Sequence, residues 1–466
     1  MNRPNILILS TDQLRWDAVG VNGNADVITP HLDQLAAQGL NFDHHFVQNP
    51  VCMPSRVSFL TGQYPSTLRI THMGVPVPPE TATLPRMLRP YGYVSANIGK
   101  LHFLPHANRD HRAMHPDYGF DHLEISDEPG CYEDAYRAWV RRRAPEQLPF
   151  VSVGLPPAAE AWYRAMGVKD TVQHPPVRFP KEPIPFQGSS DLTHTAFVAE
   201  QTIEFIRAHR QRHWLCIAGF YSPHSPWRVP QEYLDRYDPA SFTLPAFPPD
   251  VDARRAGTDF SDQGLRAARH GYYAMVTEVD HHAGRILACL DELGLAQDTI
   301  VVFTSDHGDW LGEHLRHGKG YPAPDCVSRV PLLVRWPAGI VRPGRTIHGI
   351  VEAVDILPTL LECAGIQIPP QVQGRSLLPL LQGADGPGRE SALLEHRGWK
   401  SLRTPRFHYL CESSGRESLW DLERDPGEYA DVAGDPAYAS ALADLRRLLL
   451  QRLLENEQPL PRVWNY

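Results

Sequence analysis

Apolar runs of strand length recur along the chain at Asn5 to Ser10, Val94 to Ile98, Trp214 to Phe220, Thr299 to Thr304 and Pro331 to Arg335, with helical patterns between several of them. In His31 to Gln38, Thr193 to His209 and, longest, Gly264 to Leu293, apolar residues fall three and four positions apart, which gathers them on one face of a helix. Strands alternating with helices predict an α/β fold: a large, mostly parallel sheet covered by helices on both faces. Ligands of such sheets bind beyond the carboxyl ends of the strands, where loops follow. Polar residues just past each run are therefore the first candidates for chemistry.

At 466 residues the chain exceeds the size at which a single core stops growing, so one large domain and a smaller appendage are expected. After Gly383 to Gly388 the pattern shifts to short strand-like runs, Trp399 to Leu402, Phe407 to Cys411 and Leu419 to Leu422, closed by a helix from Pro436 to Glu455. This places a catalytic domain over residues 1–385 and a small subdomain over 386–466. Between Ser126 and Ser190 the chain is rich in proline, with Pro175, Pro176, Pro180, Pro183 and Pro185, and poor in periodicity. It is expected to be a long surface excursion that roofs the site.

Charge and cysteine content exclude several functions. The net charge is -9 and no basic run exceeds Arg141 to Arg143, so nothing tracks a nucleic-acid backbone. The opening apolar run, Ile6 to Leu9, is too short for a signal peptide or a membrane span, and a cytoplasmic protein without a membrane partner is expected. Seven scattered cysteines, an odd number, fit reduced thiols; Cys131, Cys216, Cys289, Cys326, Cys363 and Cys411 read as buried small hydrophobes. The tail Pro459 to Tyr466, with Trp464 and Tyr466, suits docking on a second copy of the chain.

Two runs deliver acids to one sheet edge: Ser10-Thr11-Asp12-Gln13 and Ser305-Asp306-His307-Gly308-Asp309. Oxygen and imidazole groups gathered there suit one divalent cation. The same aspartates could equally cap the helices that follow. Lys100 and His102 stand two apart after the run Val94 to Ile98, the spacing that turns both side chains to one face. A solvated lysine and a structural histidine are the alternative.

Cys52 lies in Val51-Cys52-Met53-Pro54-Ser55-Arg56, followed by Leu60-Thr61-Gly62. This Cys-x-Pro-Ser-Arg segment resembles the signature of type I sulfatases. The likeness extends to Thr29-Pro30-His31-Leu32-Asp33, Gly119-Phe120-Asp121 and Leu419-Trp420-Asp421-Leu422-Glu423-Arg424-Asp425-Pro426-Gly427-Glu428. It implies the alkaline phosphatase superfamily fold, with a small antiparallel sheet and a terminal helix in the second part. It also implies that a formylglycine-generating enzyme oxidises Cys52, and that the resulting geminal diol attacks the sulfur of a small sulfate ester beside one divalent cation. By the same resemblance Arg56 would hold the diol, Lys100 a sulfate oxygen, and His102 the proton of the second hydroxyl, while His224 or Lys319 would serve the leaving oxygen.

Many sulfatases place paired aspartates after the first strand and Asp-Asn after the later one, where this chain has Asp12-Gln13 and Asp306-His307. That pattern is similar to choline sulfatases and to phosphonate monoester hydrolases, which also use formylglycine. The metal set implied is Asp12, Gln13, Asp306, His307 and the oxidised Cys52, with calcium as the usual family ion and His307 extending the range to manganese or another transition metal. The Lys100-x-His102 pair favours sulfate, since the phosphonate group resembles a Tyr-x-Thr arrangement there. A phosphonate monoester hydrolase or phosphodiesterase is the second reading, and a non-catalytic binder of sulfated ligands the third.

Overall fold

The computed structural model describes residues 3–105, 114–175, 182–386 and 388–457. Eight strands form the main sheet: β1 (Asn5–Asp12), β2 (Leu40–Phe42), β3 (Val94–Gly99), β4 (His122–Ile125), β5 (Trp214–Pro223), β6 (Thr299–Ser305), β7 (Leu332–Arg335) and β8 (Arg345–Ile347). Their order is β8-β2-β7-β6-β1-β5-β3-β4. β1 lies centrally and pairs in parallel with β5 and β6. The expected parallel character holds except at β7, which runs antiparallel to both β6 and β2.

Alternation along β1 explains the two-sided core. Leu7 and Leu9 enter one apolar cluster with Ala96, Ile98 and Phe303, while Ile6 and Ile8 enter the opposite one with Leu215, Ile217 and Val302. Successive side chains of a strand point to opposite faces, so a sheet covered on both sides needs an unbroken apolar run. Each fully buried side chain of this kind contributes about 1.5–3 kcal/mol. The covering helices are α1 (Pro30–Ala37), α2 (Cys52–Thr61), α3 (Ala135–Arg143), α5 (His194–His209), α6 (Asp262–Glu292) and α7 (Ile356–Cys363), while α4 (Pro156–Met166) packs apart from the sheet on Cys131 and Tyr132. Thr193 caps α5 through its side chain and Ser261 caps α6, which sets where these helices begin.

The C-terminal part is an antiparallel sheet of β9 (Ala392–His396), β10 (Trp399–Arg403), β11 (Phe407–Glu412) and β12 (Glu417–Asp421), followed by α8 (Ala439–Asn456). Leu393, Leu402, Tyr409 and Leu419 pack against Leu442, Leu445 and Leu449 of α8, together with Tyr64 and Val354 from the main part. A buried ion pair ties α8 inward, with Arg452 Nη2 3.0 Å from Glu352 Oε2.

The stretch from Ser126 to Ser190 departs from expectation. It carries two helices, α3 and α4, and Ser126 to Tyr132 is buried. Its prolines masked the helices: Pro156 and Pro157 open α4, where no backbone N–H is needed. Pro176, Pro180 and the aromatic tail Pro459 to Tyr466 lie outside the described residues.

Candidate active site

The carboxyl ends of β1, β3, β5 and β6 converge with the first turn of α2. Asp12 is the last residue of β1, Asp306 and His307 follow β6, and Cys52 opens α2. Neither aspartate caps a helix; both point into the centre, and both are 0% exposed. One ligand atom from each of Asp12, Cys52, Asp306 and His307 lies within 4.8 Å of the others.

Each acid is held by a cation. Lys100 Nζ stands 2.5 Å from Asp12 Oδ2, and Arg56 Nε 2.7 Å from Asp306 Oδ2. Burial alone would raise the Asp12 carboxyl, but the charges around it, Lys100 foremost with Lys319 and Arg56, outweigh it and hold it well below the ordinary range. The remaining guanidinium nitrogens of Arg56 donate to the carbonyls of Lys100 at 3.1 Å and Thr11 at 3.3 Å. Arg56 thus braces Asp306 and two strand-end loops.

Lys100 and His102 do not share a strand face, as the sequence suggested. β3 ends at Gly99, whose φ of 88° turns the chain out of the sheet. A side chain at Gly99 would meet the carbonyl of Gly219 at 2.2 Å. Lys100 then reaches inward to Asp12, whereas His102, its backbone N–H bonded to Asp127 Oδ1 at 2.8 Å, borders the open cavity above.

His307 is oriented as a ligand. Its Nδ1 sits 2.8 Å from the carbonyl of Gly308, which can only accept, so the proton is on Nδ1 and the lone pair on Nε2 faces the cluster. Nε2 is 3.2 Å from Cys52 Sγ, 3.5 Å from Asp12 and 3.6 Å from Asp306. Burial lowers the His307 pKa, against the pull of Asp306. Gln13 donates Nε2 to Asp309, which leaves its amide oxygen as the group with lone pairs to offer. The donor set therefore fits a divalent cation: two carboxylates, an amide oxygen, an unprotonated imidazole nitrogen and position 52.

Cys52 is buried beneath two further groups. Lys319 Nζ lies 2.7 Å from its sulfur and 3.3 Å from His224 Nε2. Burial, then the charge of Asp12, pushes the thiol up to about 12, so as a cysteine it stays protonated. Burial also pushes His224 well below its usual range, and its Nδ1 is fixed on the carbonyl of Ser225 at 2.6 Å.

All the residues singled out in the sequence thus reach one centre or its rim. Asp309, Glu128, Trp227 and Phe260 were missed. Asp309 stood in the Asp-His-Gly-Asp run and accepts N–H groups of Leu311 and Gly318 besides Gln13. Glu128 lies 3.8 Å from Lys100. The loop that carries Lys319 is braced from outside: the His314 ring stacks on Tyr429 at 4.1 Å and 9°, and its Nε2 meets the Gly427 carbonyl at 2.8 Å.

A family model described as sulfatase matches residues 4–366. The chain belongs to the sulfatase family. A second model, N-sulphoglucosamine sulphohydrolase, C-terminal, matches residues 312–454 of this sulfatase. An arylsulfatase of Clostridium perfringens is 30% identical over 98% of the chain and 95% of its own length. A choline-sulfatase of Rhizobium meliloti is 26% identical over 95% of the chain and 86% of its own length. The crystal structure of the phosphonate monoester hydrolase of Agrobacterium radiobacter superposes with a TM-score of 0.82 at 26% identity, covering 97% of this chain and 96% of that one. The sulfatase is accordingly a hydrolase of sulfate esters with the alkaline phosphatase superfamily fold.

Proposed function

We propose that this sulfatase cleaves a small sulfate monoester through formylglycine at position 52 and one divalent cation held by Asp12, Gln13, Asp306 and His307. The observation that carries the reading is the convergence on Cys52 of His307 at 3.2 Å and Lys319 at 2.7 Å, with Asp12 at 3.7 Å. A formylglycine-generating enzyme is the maturation partner this implies. Formylglycine supplies a geminal diol, one hydroxyl to attack sulfur and the other to expel sulfate, and the cation supplies charge for the attacking hydroxyl and a sulfate oxygen.

The chain's own residues do the rest. Lys100 keeps Asp12 ionised, and Arg56 pairs with Asp306 at the cluster. Lys319 and His224, 3.3 Å apart, face the side from which an ester enters, where negative charge grows on the departing oxygen. His224, neutral through burial with its ring proton on Nδ1 toward Ser225, accepts from Lys319 at Nε2, and Lys319 offers the donors for the departing oxygen. His102 at the cavity rim would be the proton acceptor on that side of position 52. Calcium suits the oxygen donors, and His307 extends the site to manganese.

Phosphonate monoester hydrolysis is the second reading, favoured by the Asp12-Gln13 and Asp306-His307 pattern together with the Agrobacterium neighbour. The deciding experiment compares kcat/KM for an aryl sulfate, a matched phosphonate monoester and a matched phosphodiester, on protein whose aldehyde at position 52 is verified by peptide mass. Preference for sulfate by orders of magnitude supports the proposal. Preference for either phosphorus ester sinks it.

A further inference from the structure

Above Cys52 opens a cavity of about 660 Å³, and its outer wall is built of carbon. The Phe260 and His317 rings stack at 5.1 Å and 21°, and Trp227 meets His317 edge-on at 5.8 Å. Met73, Leu155 and Trp310 continue the wall. Such a volume holds a one- or two-ring molecule.

Three charged groups of the lining are held by contacts within the protein. Glu128 accepts the Leu155 N–H at 2.9 Å and faces Lys100. Asp309 accepts from Gln13, Leu311 and Gly318. Arg316 donates to the Tyr321 carbonyl at 2.8 Å and lies 5.2 Å over the Trp310 ring. A sugar ring seated against Phe260, His317 and Trp227 would turn hydroxyls toward carbon, where those facing the rings lose their water without a replacement partner. A quaternary ammonium group would find aromatic faces, but it would share the cavity with the cations Lys319 and Arg316.

We infer that the alcohol released by this enzyme is flat and apolar, an aromatic or similarly ring-built monosulfate gripped by the Phe260–His317–Trp227 wall. The inference rests on the sulfate reading above and narrows it. Phe260 sets the specificity: it is half-buried on the segment leading into α6 and touches the ring rather than the reacting sulfur.

The test uses three primary-alcohol esters, 2-phenylethyl sulfate, choline sulfate and glucose 6-sulfate, on aldehyde-verified protein. The expected kcat/KM for 2-phenylethyl sulfate exceeds the other two by at least about tenfold. Phe260→Ala should shrink that preference to within about threefold, and Phe260→Tyr, which keeps the ring, should restore it. Equal or better turnover of glucose 6-sulfate or choline sulfate overturns the inference and leaves the sulfatase reading intact. Calorimetric binding of the same esters to Cys52→Ala separates the two claims. A phenylethyl preference in binding with no turnover by the aldehyde form overturns the reaction and keeps the wall; no preference in binding overturns the wall.

Discussion

Arg56 and Asp306 form a buried ion pair, Nε to Oδ2 2.7 Å, with the side chains 2% and 0% exposed. Removing one member of such a pair leaves the other charge without compensation, which costs about 3–5 kcal/mol. Arg56→Ala should therefore lower stability by roughly that amount in urea unfolding, alongside loss of turnover. Arg56→Lys keeps the charge but loses the fork that also binds the Lys100 and Thr11 carbonyls, so its stability loss should be smaller while kcat still falls.

Lys319 and His224 should act on the leaving oxygen. Lys319→Ala is expected to lower kcat by about 10²–10⁴-fold for alkyl sulfates and far less for nitrophenyl sulfate, whose leaving group needs no help. A uniform loss across leaving groups of different acidity would assign Lys319 to the sulfate oxygens instead.

Metal dependence follows from the paired strand ends. Exhaustive chelation should abolish turnover, and added calcium or manganese should restore it. His307→Ala should shift the metal response toward calcium, because the nitrogen donor is what suits a transition metal. Full activity after chelation, with metal content verified by elemental analysis, would remove the cation from the mechanism.

A pH effect on stability arises far from the site. Glu278 of α6 accepts the Thr193 hydroxyl at 2.6 Å, and burial raises its carboxyl from 4.5 to about 8. The folded protein keeps this proton where the unfolded chain has lost it, so stability falls as pH climbs from 4.5 to about 8. The slope is about 1.4 kcal/mol per pH unit at its steepest. Glu278→Gln keeps an acceptor for Thr193 and should flatten this decline, read as a smaller drop in Tm between pH 5 and pH 8.

The strands of the main sheet and the residues at their ends were legible because a doubly covered sheet demands apolar runs, and the chemistry begins where Asp12, Lys100, His224 and Asp306 interrupt or follow them. Cys52 was legible through its neighbours Pro54 and Arg56. Turn geometry was not: Gly99 sends Lys100 and His102 to different places, and only the packing of Gly99 on Gly219 reveals it. The cavity wall was equally silent, since Trp227, Phe260 and His317 come from separate segments and share no spacing. Asp309 was visible as a letter but not as the acceptor that aims Gln13.

The stack of His314 on Tyr429 has a consequence for how damage to this protein would show itself. The lysine beside Cys52 is steadied by a turn near the far end of the chain, so lesions at Gly427 or Tyr429 should mimic active-site mutations: soluble, folded protein that turns over slowly. In a genetic screen they would be scored with Lys319, although more than a hundred residues of chain lie between.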